Sequence, residues 1–169
     1  MTKTGAQVGV IMGSDSDLPV MQGCIDLLKE LGIACEVRIL SAHRTPVEVD
    51  AYAAGAAGRG LGVIIAAAGM SAALGGVLSA RTSLPVIGVA MASGPLAGVD
   101  ALLSTVQMPP GVPVACTGMA AAGATNAALL AARILALSDP ALAKKLEEYR
   151  LRQGEKVLAK DRSLQGKAR

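Results

Sequence analysis

The chain has 169 residues, the length of one ordinary domain, and 52% of it is hydrophobic with no Phe or Trp and only two Tyr. Its core therefore has to be aliphatic, and almost no platform is left on which nucleic-acid bases could stack. A net charge of +3 without a concentrated basic stripe before the last residues weighs against nucleic-acid binding, and the mean hydropathy of +0.49 is spread over apolar runs that break before the roughly 20 residues a membrane span needs.

The first strand-like run, Val8–Met12, leads straight into a turn carrying Gly13, Ser14, Ser16 and Asp17, and a helical pattern starts at Leu18. Backbone N–H groups at a helix start and two serine hydroxyls would converge there on a phosphate or carboxylate. The same small and polar residues also serve merely to turn the chain and cap a helix. A second run, Ala34–Leu40, is followed by Ser41-Ala42-His43-Arg44-Thr45-Pro46, which holds the only histidine of the chain, and then by another helix. If the two strands are parallel neighbours, both loops open onto one crevice.

The third run, Gly62–Ala67, passes into a glycine- and alanine-rich stretch ending at Gly76 that offers backbone amides and the Ser71 hydroxyl. Such a stretch suits close approach of a planar ring, or tight packing of a helix on a sheet. Further runs at Val86–Val89 and Val112–Thr117 complete five strands alternating with helices. The predicted fold is α/β: a three-layer α/β/α sandwich with a flavodoxin-like, five-stranded parallel sheet and an extra C-terminal helix. That helix is announced by Asp139 as N-cap and Pro140 as first helical residue, with Leu142, Leu146, Tyr149 and Val157 at helical spacing. Residues 1–160 are expected to form a single domain that includes the helix over 139–158, and residues 161–169 a flexible basic tail. Cys24, Cys35 and Cys116, odd in number and each in an apolar element, are expected as buried reduced thiols, and no signal-peptide pattern opens the chain. A cytoplasmic location is the expectation.

Five ordered blocks carry a resemblance: MGSDSD (Met12–Asp17), SAHRTP (Ser41–Pro46), LPVIGV (Leu84–Val89), VQMPPGVPVA (Val106–Ala115) and NAALLAARIL (Asn126–Leu135). Together they are similar to the PurE family, the small-subunit type of phosphoribosylaminoimidazole carboxylase, whose bacterial members act as N5-carboxyaminoimidazole ribonucleotide mutase in purine synthesis. The resemblance implies a nucleotide substrate, no cofactor, no metal, and a homo-octamer in which the tail helix packs on neighbouring subunits. It also implies an ATP-dependent carboxyaminoimidazole ribonucleotide synthase upstream. By family role, His43 is the proton shuttle. Ser16, Ser41 and Arg44 hold the 5′-phosphate, Asp17 the ribose hydroxyls, and Ser14 with the backbone of Gly69, Ser71, Ala73 and Leu74 the carboxylate and imidazole.

The glycine-rich stretch departs from the mutase pattern, which resembles GGAAHLPG, in having Ala73 and Gly75 where that pattern has His and Pro. Ser71, Ala73 and Leu74 resemble instead the version found in relatives that carboxylate aminoimidazole ribonucleotide directly with carbon dioxide. Arg44 and Gln107 resemble the mutase branch, and the balance leans that way. A binding module that has lost catalysis is a further alternative. A metal enzyme built on Asp15, Asp17 and Asp26 carries little weight, because the DSD pair lacks the remaining ligands and glycine of a calcium loop.

Overall fold

The computed structural model describes residues 7–167. Five strands, β1 (Val8–Met12), β2 (Cys35–Ile39), β3 (Val63–Gly69), β4 (Val86–Met91) and β5 (Ala115–Met119), alternate with helices α1 (Leu18–Leu31), α2 (Pro46–Ala56), α3 (Leu74–Ser79), α4 (Val99–Val106) and α5 (Ala120–Ala136), and α6 (Pro140–Lys167) follows. The strands lie in the order β2-β1-β3-β4-β5 and every pairing is parallel. The chain steps from β1 to one side, then crosses back over β1 to build the rest, so the order reverses between β1 and β3. That is where an open α/β sheet leaves a crevice.

Both faces of the central strands are covered, so successive side chains enter different cores. Val8, Val10 and Met12 of β1 pack with Val63, Ile65, Ile87 and Val89 against α1 and α5. Ile11, Ile64, Ala66 and Val86 face the opposite way, against Val49, Tyr52, Ala53 and Ala56 of α2 and Leu74 and Leu78 of α3. On α1 the buried residues Met21, Cys24, Leu27, Leu28 and Leu31 recur every three or four positions, the period of one helix face. Gly32 closes that helix at φ +78°, a left-handed cap only glycine adopts without strain. Its partner α5 presents Ala124, Ala127, Ala128, Ala131 and Ala132, all fully buried. With methyl groups alone at the seam, the backbones of α1, α5 and the sheet come close, which is how a core without Phe or Trp reaches full density.

Several expected boundaries shift. β3 and β4 run on to Gly69 and Met91 because they pair with each other through Ala68–Ala90 and Gly69–Met91. β5 starts at Ala115 rather than Val112, since Val112 donates its N–H to Pro109 in a turn and Pro113 has no N–H for a ladder. The cap at the head of α6 is as expected: Asp139 Oδ1 accepts from the N–H groups of Ala141 and Leu142, both at 3.0 Å. The helix does not end at 158. It continues to Lys167, so residues 161–167 are helix rather than tail, and 168–169 lie outside the described residues. Arg162, Leu164 and Gln165 favour helix here, and Gln165 donates to Asp161 one turn earlier at 3.3 Å.

Within α6 the apolar stripe divides. Leu142 is buried in the core below α1 and α5, and Leu146 and Tyr149 pack at its margin, whereas Val157 is exposed along with Leu151, Leu158 and Leu164. The cysteines also differ from expectation. All three are free, but only Cys24 is buried; Cys35 and Cys116 are partly exposed, because β2 and β5 are the two edges of the sheet. Among the described residues, no helix is long and apolar enough to cross a membrane.

Candidate active site

The carboxyl ends of four strands meet at a cavity of about 520 Å³. Gly13, Ser14, Ser16 and Asp17 follow β1; Ser41, Ala42, His43 and Arg44 follow β2; Ala68 to Ser71, with Ala73 and Leu74, close β3; Ser93 follows β4. All ten residues singled out from the sequence (Ser14, Ser16, Asp17, Ser41, His43, Arg44, Gly69, Ser71, Ala73 and Leu74) line this one space.

At the β1 end, Ser14 adopts an extended backbone and its side chain caps a single 3-10 turn, Asp15–Asp17, before α1 begins. Its Oγ accepts from the Ser16 N–H at 3.3 Å and from Ser16 Oγ at 2.8 Å, and donates to Asp15 Oδ1 at 3.1 Å. The two hydroxyls thereby lie together beside the helix start, whose N–H groups and dipole favour an anion.

The β2 loop is built on Thr45 and Ser41. Thr45 Oγ1 accepts from the Ser41 N–H at 2.9 Å, and Pro46 then opens α2. Ser41 Oγ accepts from both the N–H and Nε of Arg44 at 3.3 Å. With those acceptor positions filled, the Ser41 hydroxyl keeps its own proton to donate. Arg44 Nη2 donates to the Gly13 carbonyl at 2.7 Å. This bond stitches the β1 and β2 loops together and holds a guanidinium at the mouth of the crevice whose remaining N–H groups have no partner among the described residues. A fixed, planar cation beside two serine hydroxyls matches a phosphate.

Asp17 is buried, only 7% exposed. Burial pushes its carboxyl above the ordinary value of 3.8; a backbone hydrogen bond from Ser14 opposes this and the nearby Asp15 charge adds to it. A carboxylate sheltered in this way gains most from a ligand that brings hydroxyl donors. Asp26, by contrast, lies on α1 and accepts from Gln22 at 2.9 Å, so the three aspartates of the metal reading do not converge. No group of three or more His, Cys, Asp or Glu that could hold a metal ion occurs among the described residues.

The β3 end supplies mostly backbone. Met70 stands at φ +54°, a left-handed conformation uncommon for a residue with a side chain, and the turn it makes carries the chain over the cavity into α3. A Cβ at Gly69 would collide with the Ser93 hydroxyl, so glycine there is what lets β3 and the β4 loop close together.

A model of the AIR carboxylase family matches residues 7–156. The chain belongs to the AIR carboxylase family. It is 52% identical over 167 residues to the N5-carboxyaminoimidazole ribonucleotide mutase of Mycobacterium tuberculosis, a match covering 98% of this chain and 95% of the relative. It is 53% identical over 153 residues to the mutase of Pseudomonas aeruginosa, covering 90% and 94% of the two chains. The crystal structure of Treponema denticola PurE superimposes with a TM-score of 0.82 at 32% identity, over 94% of this chain and 98% of that one. The all-parallel sheet with helices on both sides is thus the AIR carboxylase architecture.

Of the lining residues, Ser93 lies outside every stretch singled out from the sequence, whereas Met70 lies within the glycine- and alanine-rich stretch without being marked on its own. Ser93 was within reach: the same crevice rule that pointed to Ser14 and Ser41 applies to the end of β4, but with that strand stopped at Val89 the residue fell four positions too far along. Met70 carried no signal, since nothing in a run of small residues indicates which one turns left-handed.

Proposed function

We propose that this protein is an N5-carboxyaminoimidazole ribonucleotide mutase of purine biosynthesis, an isomerase that moves a carboxylate from an exocyclic nitrogen to the adjacent ring carbon. The observation that carries this reading is the gathering of the chain's single histidine with a Ser16, Ser41 and Arg44 anion cradle in one crevice at the switch point of the sheet. The phosphate rests between the β1 and β2 loops, Asp17 takes the ribose hydroxyls, and the ring lies along the β3 end against Gly69, Ser71, Ala73 and Leu74, with Ser14 near the imidazole.

In the reaction the bond between nitrogen and carboxylate carbon breaks, carbon dioxide is held in the crevice, and the exocyclic nitrogen receives a proton from His43. The ring carbon then attacks carbon dioxide, forms the carbon–carbon bond and returns its proton to the imidazole. An imidazole can both give and take a proton, so one side chain serves both steps. Anchoring through the distant phosphate keeps ring and carbon dioxide in register while they are separate.

The reading extends to a homo-octamer, supported by the uncovered apolar positions Leu151, Val157, Leu158 and Leu164 on α6. It also includes a cytoplasmic location, supported by three free cysteines, and a separate ATP-dependent synthase that delivers the unstable substrate. Purified protein is to be given either N5-carboxyaminoimidazole ribonucleotide or aminoimidazole ribonucleotide with bicarbonate, with the C4-carboxylated product followed by absorbance. Turnover of the first alone is the expected result. Turnover of the second alone would make the protein a direct carboxylase and overturn the proposal.

A further inference from the structure

Three of the four loops around the crevice have an assigned part to play, and the fourth, after β4, has none. It contributes one polar side chain, Ser93, which is half-buried and lines the cavity. The loop is held by its own backbone: the Ser93 N–H donates to Met91 O at 3.0 Å, the Ala97 N–H to Gly94 O at 3.2 Å, and Gly94 and Gly98 take left-handed conformations at φ +71° and +88°. The hydroxyl itself rests over the bare Cα of Gly69 and makes no side-chain hydrogen bond among the described residues. Ser14, the other hydroxyl assigned toward the carboxylate, is differently placed, since it already accepts from Ser16 and donates to Asp15.

The strand order gives the distance scale. From β2 to β4 is three strand spacings, roughly 14 Å at ~4.8 Å each, a span for a phosphate, a ribose and a five-membered ring set in line. With phosphate at the β1 and β2 loops, the far edge of the ring falls beneath the β4 loop. From these placements we infer that Ser93 is a carboxylate-holding residue: its Oγ–H donates to the migrating carboxylate, and to carbon dioxide between the two bonding steps. The inference rests on the mutase reading. Both positions of the carboxylate, on the exocyclic nitrogen and on the neighbouring carbon, lie on that same edge, so one fixed donor serves both. A hydroxyl with no hydrogen-bond partner among the described residues is also free to donate to the incoming oxygen.

The test compares Ser93→Ala and Ser93→Cys with the wild-type chain in two measurements, kcat/KM for N5-carboxyaminoimidazole ribonucleotide and the Kd of ribose 5-phosphate. Cysteine keeps the bulk that packs on Gly69 but is a weak donor, so a packing role and a donor role separate. Both variants are expected to lose about tenfold or more in kcat/KM, as for a hydrogen bond to a charged group, while ribose 5-phosphate binds within about twofold of wild type. Wild-type turnover in Ser93→Cys would overturn the inference and leave the mutase reading intact. A parallel loss of ribose 5-phosphate affinity would overturn it too, by showing that Ser93 shapes the whole crevice. If the wild-type chain neither turns over the substrate nor binds ribose 5-phosphate, the mutase reading fails and this inference falls with it.

Discussion

Replacing Arg44 by Ala removes the one guanidinium at the mouth of the crevice, and its cost can be worked from the contacts it makes. Nε is occupied by Ser41 Oγ and Nη2 by the Gly13 carbonyl, which leaves the remaining N–H groups to a phosphate. A hydrogen bond to a charged partner contributes about 1.5–3 kcal/mol, and because Arg44 is exposed before ligand arrives, the lower part of that range applies. Ribose 5-phosphate affinity should therefore fall roughly 10- to 30-fold, measured by isothermal titration calorimetry. Wild-type binding should weaken with added salt more steeply than binding to Arg44→Ala, since one ion pair fewer is screened. The protein bonds that are lost lie at the surface, so stability should change by about 1 kcal/mol or less. His43→Asn is the counterpart: turnover abolished, ribose 5-phosphate affinity kept. An unchanged Kd in Arg44→Ala, or a Kd weakened equally by His43→Asn, would refute the placement of phosphate between the two loops.

Asp17 gives a pH signature. Its carboxyl titrates above 3.8 in the fold because burial disfavours the charge, so the folded state holds this proton more tightly than the unfolded chain, and stability falls as pH rises from about 3.8 through the raised folded value. Asp17→Asn should accordingly have a higher Tm than wild type at about pH 7, an advantage that disappears at about pH 3, while its nucleotide affinity is reduced; equal differences at both pH values would contradict the burial argument. Burial pushes the Cys24 thiol up to about 12, so in native protein iodoacetamide followed by mass spectrometry should leave Cys24 unmodified until denaturant is added. Asp139→Ala removes the acceptor of two N–H groups at the head of α6 and should cost about 1 kcal/mol in a urea melt.

What could be read in advance follows from how local each signal is. β1 and its loop were legible because a short apolar run, a glycine and a helix start are all encoded within ten consecutive residues. The head of α6 was legible for the same reason, as Asp139 and Pro140 act on their immediate neighbours. The ends of β3 and β4 were not, since Ala68 and Ala90 have no strand signature of their own and are extended because each pairs with the other. The exposure of Cys35 and Cys116 depended on which strands became edges, a property of the sheet as a whole. Met70 and Ser93 entered the site through contacts between loops that are far apart in the sequence.

The seam between α1 and α5 also dictates a timetable. The apolar face of α1, with Met21, Cys24 and Leu28, is closed off by the alanines of α5, which are encoded roughly a hundred residues later. As the chain leaves the ribosome, β1, β2 and β3 can pair early, yet one side of that nascent sheet stays greasy and open until nearly all the chain has been made. Completion of this molecule is thus a late, non-local event, and an interrupted chain that stops before Ala120 would present a ready surface for chaperones or for aggregation.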